Sequence, residues 1–289
     1  MSANAVEVLV VTDNQAGDGL IAEHGFSAWI EVGERRILFD TGQGIALEHN
    51  APVLGLELWS TDTLVLSHGH YDHTGGVPFA LEEARYAHVY GHPDATGARW
   101  SIHGDTPRAI GMPSGSQAAI DVLPPSRRHW ITRSIELEPG LGLATSIPRR
   151  SGFEDAGGPF FLDAQGLTPD TIPDDLALWI RTERGLVVVV GCCHAGLVNT
   201  VQAVQELSGE RRVHAIIGGL HLKDASPERL DRSIEVLSKL DPALVVACHC
   251  TGDAAVARLR ASLGPRVQVG AAGASFSLGS RVSGATPAR

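Results

Sequence analysis

The sequence predicts an α/β fold, on three observations. Residues 63–66, 186–190, 213–217 and 244–247 are short, nearly continuous apolar runs. That composition suits strands buried on both faces, as parallel strands are. The last three runs are each followed by a segment of helical length and pattern, which makes three successive βα units. Residues 26–32 and 36–40 flank Gly33-Glu34, a hairpin signal at the other end of the chain.

In order, residues 6–11 read as the first strand, and the hairpin supplies the second and third. Residues 63–66 form a strand that ends in Ser67-His68-Gly69-His70-Tyr71-Asp72-His73-Thr74-Gly75-Gly76. A helix over 77–84 and a strand over 86–90 follow. Residues 91–175 are irregular, rich in Gly, Pro, His and Arg, with strands expected near 134–137 and 141–147. Long irregular connections are usually functional, so this stretch reads as connections plus a cover over a site. Order returns at Leu176. Strands over 186–190, 213–217 and 244–247 alternate with helices over 196–207, 227–240 and 253–263. Ser226 caps the second helix, with Pro227 at its first position. Gly264-Pro265 stops the third. Residues 267–278 close the sheet. The whole chain, 1–289, reads as a single domain without a sequence repeat.

Composition narrows the function. Hydrophobic residues make up 43% and charged residues 19%, enough for a large core. The formal charge is −10, and only Lys223 and Lys239 are lysines. No basic stripe exists for nucleic acid to follow. No apolar stretch approaches the roughly 18–20 residues of a membrane span. The N-terminal residues run straight into a strand without a basic leader. The four cysteines fall in two close pairs, Cys192/Cys193 and Cys248/Cys250, which is no secreted disulfide framework. These features point to a cytoplasmic protein acting on a small molecule, and they leave a homo-oligomer open.

Chemistry concentrates in His68, His70, Asp72 and His73. Imidazole nitrogen and carboxylate oxygen are ligands that divalent first-row metals accept. Residues 68 and 70 point the same way from a near-extended segment, and 72 and 73 reach a second position as the chain turns. His194, His221 and His249 each follow one of the later strands, 27 and 28 residues apart. Three histidines at the same end of neighbouring parallel strands gather where α/β sheets place their sites.

With these residues in place, the chain resembles the metallo-β-lactamase-fold hydrolase superfamily. Within it the chain resembles the dihydropteroate-synthase-like branch, also labelled 7,8-dihydropterin-6-yl-methyl-4-(β-D-ribofuranosyl)aminobenzene-5'-phosphate synthase. The matching segments are Glu23-His24-Gly25-Phe26-Ser27, Ile37-Leu38-Phe39-Asp40-Thr41-Gly42, the 67–76 motif, Gly191-Cys192-Cys193-His194-Ala195-Gly196-Leu197-Val198-Asn199, Gly218-Gly219-Leu220-His221-Leu222 and His249-Cys250-Thr251-Gly252. The resemblance implies a four-layer αββα sandwich of two mixed β-sheets flanked by helices, with a dinuclear metal site at one edge.

Carried over by motif, His68 and His70 bind metal 1, Asp72 and His73 bear on metal 2, and His249 is the last metal-2 histidine. Cys192 stands where the superfamily has a bridging Asp, as a buried thiol or as a thiolate ligand. His194 is the candidate for the third metal-1 histidine. His221 is an extra, either a ligand or a catalytic group that holds substrate or leaving group. Cys193, Cys248 and Cys250 read as packing or support.

Asp40 is expected to fix a ligating histidine's tautomer. Arg149, with Arg150, is a candidate anion clamp. His24 is a candidate substrate contact. Asp174 and Asp175 resemble the branch's paired aspartates without an assigned role.

The implied activity is metal-dependent hydrolysis of a small ester, lactone or phosphoester. Two divalent ions, zinc first and iron or manganese next, lower the pKa of a water, and Asp72 orients it or takes its proton. Iron-dependent redox or oxygen chemistry and a non-catalytic small-molecule sensor are the alternatives.

Overall fold

The computed structural model describes residues 4–282. Two seven-stranded sheets carry the fold. The first runs Ser275–Ser280, Ala5–Thr12, Ser27–Val32, Arg35–Phe39, Thr63–Val65, His88–Gly91, Arg128–Trp130. The second runs Val267–Val269, Leu244–Cys248, Val213–Gly219, Gly185–Val190, Ala177–Thr182, Leu141–Ala144, Ile135–Glu138. Each sheet is antiparallel in one half and parallel in the other. In the first, Arg35–Phe39, Thr63–Val65, His88–Gly91 and Arg128–Trp130 are successive parallel neighbours. In the second, Gly185–Val190, Val213–Gly219, Leu244–Cys248 and Val267–Val269 are. The two halves of the chain thus repeat one topology without repeating a sequence.

The apolar runs are continuous because both faces of each strand are covered. Val187 and Val189 face the other sheet, where they meet Val8, Ile37, Phe39 and Val65. Val188 and Val190, one residue out of phase, face the helices Leu197–Ser208, Pro227–Leu240 and Asp253–Leu263. On the far side, Trp29, Leu38, Leu64 and Val89 pack under Ile45–Val53, Val77–Glu83 and Ser114–Asp121. The order helices, sheet, sheet, helices is the four-layer αββα sandwich that the resemblance implies.

Most expected elements are present within a residue or two. Ser226 accepts a hydrogen bond from Arg229 N at the start of Pro227–Leu240, and Gly264 follows Asp253–Leu263. Two differences have physical causes. The single closing strand expected over 267–278 is two strands. Val267–Val269 ends the second sheet, and Ser275–Ser280 crosses to the edge of the first. The 91–175 stretch is more regular than its composition suggests. Phe160–Phe161, Trp100–His103 and Thr106–Ala109 form a small antiparallel sheet, and Ser114–Asp121 is helical. Its exposed Thr106–Ala109 strand carries no apolar alternation to read.

The shared core sets a stability expectation. Ile217 is fully buried between the sheets, whereas Leu167 is 80% exposed. Ile217→Ala is expected to cost about 2–5 kcal/mol, and Leu167→Ala within about 0.5 kcal/mol. Urea denaturation reads both, and equal losses would contradict this packing.

Candidate metal centre

The site lies where the parallel strands of both sheets end. His68, His70, Asp72 and His73 follow Thr63–Val65, and Asp40 follows Arg35–Phe39. Cys192 and His194 follow Gly185–Val190, His221 follows Val213–Gly219, and His249 follows Leu244–Cys248. Asp40, Cys193, His221 and His249 have φ of 57°, 57°, 47° and 46°. Non-glycine residues rarely adopt that left-handed conformation, and it gathers at functional sites.

Asp40 is the buried anchor. Its carboxylate accepts from Ser67 N at 2.7 Å, Ser67 Oγ at 2.6 Å and His73 Nδ1 at 2.7 Å. Ser67 Oγ lies 2.9 Å from His68 Nδ1. Since the hydroxyl proton goes to Asp40, the Ser67 oxygen accepts from His68. One carboxylate therefore fixes two imidazoles and turns the Nε2 of each toward the centre. Gly191 gives the anchor its room, because a Cβ there would sit 2.0 Å from Ser67 Oγ and 2.8 Å from Asp40 Oδ2.

His194, His249 and His221 are each tied down through one nitrogen. His194 Nδ1 donates to Ala156 O at 2.7 Å, and its Nε2 is buried without a partner. His249 Nδ1 donates to Asn14 Oδ1 at 2.9 Å, and its Nε2 lies 3.3 Å from Asp72 Oδ2. His221 Nε2 donates to Gly157 O at 3.1 Å, and its Nδ1 is buried without a partner. His68 Nε2 faces His70 Nδ1 at 3.0 Å. Cys192 Sγ lies 3.1 Å from His73 Nε2.

Three-residue groups with ligand atoms mutually within 4.8 Å are His68/Cys192/His194, His73/Cys192/His249, His24/Asp72/His249 and Cys192/His221/Cys250. Cys192 belongs to three of the four. The donor set fits divalent metal ions.

Electrostatics agrees with that fit at His68, His70 and His194. Burial, reinforced by the neighbouring rings, holds His68 and His194 well below the usual histidine value. Burial does the same to His70 against the opposing pull of Asp72. All three are neutral at pH 7, the form a metal needs. Burial would raise Asp72, but hydrogen bonds from His24 and His249 hold it well below the usual carboxylate value. Burial would lower His73, but Asp40 raises it to about 9. Burial pushes the Cys192 thiol up. Burial also acts on Cys250, yet Cys192 and His221 hold its thiol well below the usual value.

Asp40 thus sits against His73, and His24 reaches Asp72 at 3.1 Å. Arg149 does not sit as an open clamp. Its guanidinium donates to His194 O at 2.6 Å, to Thr171 O and to Ile172 O at 3.3 Å. Three of its five N–H donors go to these backbone carbonyls, so it ties the His194 loop to residues 171–172. Arg150 pairs with Glu206 at the surface. Cys193 and Cys248 pack, with Thr200 Oγ1 and Val246 O as their sulfur contacts. Cys250 instead joins the site.

Several supporting residues have no role that the sequence assigns. Asp174 accepts from Gly69 N at 2.8 Å and pairs with Arg99. Asp175 accepts from Ala195 N at 2.7 Å, and its burial raises it to about 6. Glu154 accepts from Val198 N and Asn199 N at the start of Leu197–Ser208. Asp13 accepts from His249 N at 3.0 Å. Above the site opens a cavity of about 480 Å³, lined among others by Tyr71, Arg108, Phe160, Lys223 and Asp224.

With this geometry, the comparison with known proteins is decisive. The family model described as "Metallo-beta-lactamase superfamily" matches residues 21–249. The chain belongs to the metallo-β-lactamase superfamily. It is 31% identical over 260 residues to the 7,8-dihydropterin-6-methyl-4-(β-D-ribofuranosyl)-aminobenzene-5'-phosphate synthase of Methanocaldococcus jannaschii, covering 86% of this chain and 88% of that one. It is also similar to the solved structure of Tm1679, described as a metal-dependent hydrolase of the β-lactamase superfamily. There the TM-score is 0.78 at 28% identity, covering 94% of this chain and 98% of that one. The metallo-β-lactamase fold protein YhfI from Bacillus subtilis shares the fold, with TM-score 0.55 at 11% identity over 95% of this chain and all of that one. No helix among the described residues is long and apolar enough to cross a membrane.

The Asp40–His73 pair sets a pH dependence. In metal-free protein the folded His73 value, about 9, lies above the ordinary 6.5. Its stabilisation is complete below about pH 6.5 and is lost as pH rises through about 9, with an upper bound of roughly 3 kcal/mol. Asp40→Asn should therefore be less stable than the parent at pH 6, with the gap narrowing by pH 9. Urea titrations in chelator measure it, and a gap that does not change with pH would refute the coupling.

Proposed function

We propose that this one metallo-β-lactamase-fold domain is a cytoplasmic hydrolase of small esters, lactones or phosphoesters, built around a dinuclear divalent centre. The observation that carries the reading is the pattern of pinned rings. His68, His73, His194 and His249 are each held through Nδ1 and turn Nε2 toward the centre. His68, His70 and His194 would hold one ion, and Asp72, His73 and His249 the other, with Cys192 between them. Bound ions of this kind, zinc first, supply Lewis acidity and bring a water's pKa toward neutrality.

The chain's own residues do the rest. Asp72 is ionised at neutral pH and faces the cavity between His24 and His249. It orients the attacking water and takes its proton. His24, more than half exposed, gives the Asp72 carboxylate a partner on the solvent side. Phe160, from the small sheet of the 91–175 stretch, packs edge-on against His194 and helps keep bulk water off the ligands. Arg108 donates to Tyr71 Oη at 2.9 Å and lies over its ring. With Lys223 it gives the cavity cationic donors that suit an anionic substrate. The phosphate in the printed name of the Methanocaldococcus relative makes phosphoesters the first group to test. All four cysteines are free, which suits a reducing compartment.

The test is hydrolysis of ester, lactone and phosphodiester panels by protein purified without chelator. Activity should vanish on chelation and return with zinc or manganese. Asp72→Asn should lower kcat by about 10²–10⁴. His194→Ala should lower metal content by one ion per chain. Undiminished turnover by metal-free protein would refute the proposal.

A further inference from the structure

We propose that Cys192, His221 and Cys250 form a third metal subsite at the floor of the cavity, suited to a soft or borderline divalent cation such as zinc. It rests on the dinuclear reading only through Cys192, which would be shared. His221 and Cys250 belong to neither of the other two ligand sets.

The three residues come from the ends of three adjacent parallel strands, Gly185–Val190, Val213–Gly219 and Leu244–Cys248. Their register pairs Val190 with Gly218 and Gly219 with Cys248. Strands about 4.8 Å apart then deliver one side chain each to the same place. The three ligand atoms lie within 4.8 Å of one another.

Each member is prepared for the role. His221 is held in the left-handed conformation at φ 47°, with Nε2 committed to Gly157 O and Nδ1 buried without a partner. The ring fits only under a glycine, since a Cβ on Gly157 would sit 2.0 Å from His221 Cδ2. The Cys250 thiol occupies space that Gly219 leaves, where a Cβ would come within 2.6 Å of its sulfur. Both cysteines are free, so both sulfurs are available.

Two sulfurs and one imidazole nitrogen are a donor set that favours zinc over magnesium or calcium. All three residues line the cavity of about 480 Å³. A site with three protein ligands and an open side is the form metal sites take when a substrate or water completes the shell. An ion here would lie on the substrate side of the His/Asp centre, where it can hold an anionic group of the substrate.

The experiment is cobalt titration of the metal-free full chain, followed by elemental analysis and by the near-ultraviolet sulfur-to-cobalt charge-transfer band. Cys250→Ser, Cys250→Ala and His221→Ala should each bind one cobalt fewer than the parent, and the two Cys250 variants should weaken the band. His73→Ala should also lose an ion but keep the part of the band that depends on Cys250. Melting of the metal-free forms establishes that each variant is folded. Unchanged cobalt count and band in both Cys250 variants would overturn the subsite. If His68→Ala and His73→Ala keep full cobalt uptake while the Cys250 variants lose one ion, the thiolate site stands and the dinuclear reading falls.

Discussion

The site depends on the Asp40 carboxylate. A buried charge is tolerated only when its lone pairs are filled. Asp40, Ser67 and His73 are fully buried, and the carboxylate takes two donors from Ser67 and one from His73. The same bonds decide which nitrogen His68 and His73 present. Stability and ligand geometry are thus one network, and Gly191 leaves the space it needs.

The network exists because two sheets of like topology pack face to face. Each sheet turns from antiparallel to parallel at its middle, so strands of both end at the same edge. The long side of the core is apolar and holds the layers together. At the edge the apolar residues stop and the backbone leaves regular geometry. Four non-glycine residues of the site lie in the left-handed region, where neighbouring packing must hold them. The small third sheet then covers the edge, bringing Phe160 against His70, His194 and His221.

The local parts of this arrangement were legible in the sequence. Continuous apolar runs marked strands covered on both faces, and Ser226-Pro227 and Gly264-Pro265 marked helix ends. His68, His70, Asp72 and His73 sit close enough to read as one group. The helix Ile45–Val53 gave no such signal, since its apolar residues do not line one face and Pro52 lies within it. Supports across long separations were equally silent. Asn14 holds His249 from 235 residues away, and an isolated Asn in a loop reveals nothing of that. Cys250 read as packing because its partners, Cys192 and His221, lie on other strands. Arg149 read as a clamp because its backbone acceptors depend on how the 171–172 and 194 loops fold together.

The central claim is that the two rings tied to Asp40, His68 and His73, serve two different ions. Anomalous diffraction at the zinc edge, on crystals of the full chain loaded with zinc, tests it most directly. The account predicts separate peaks, one shared by His68, His70 and His194 and one shared by Asp72, His73 and His249. A single peak bound by both His68 and His73, or no peak among these residues, would contradict it.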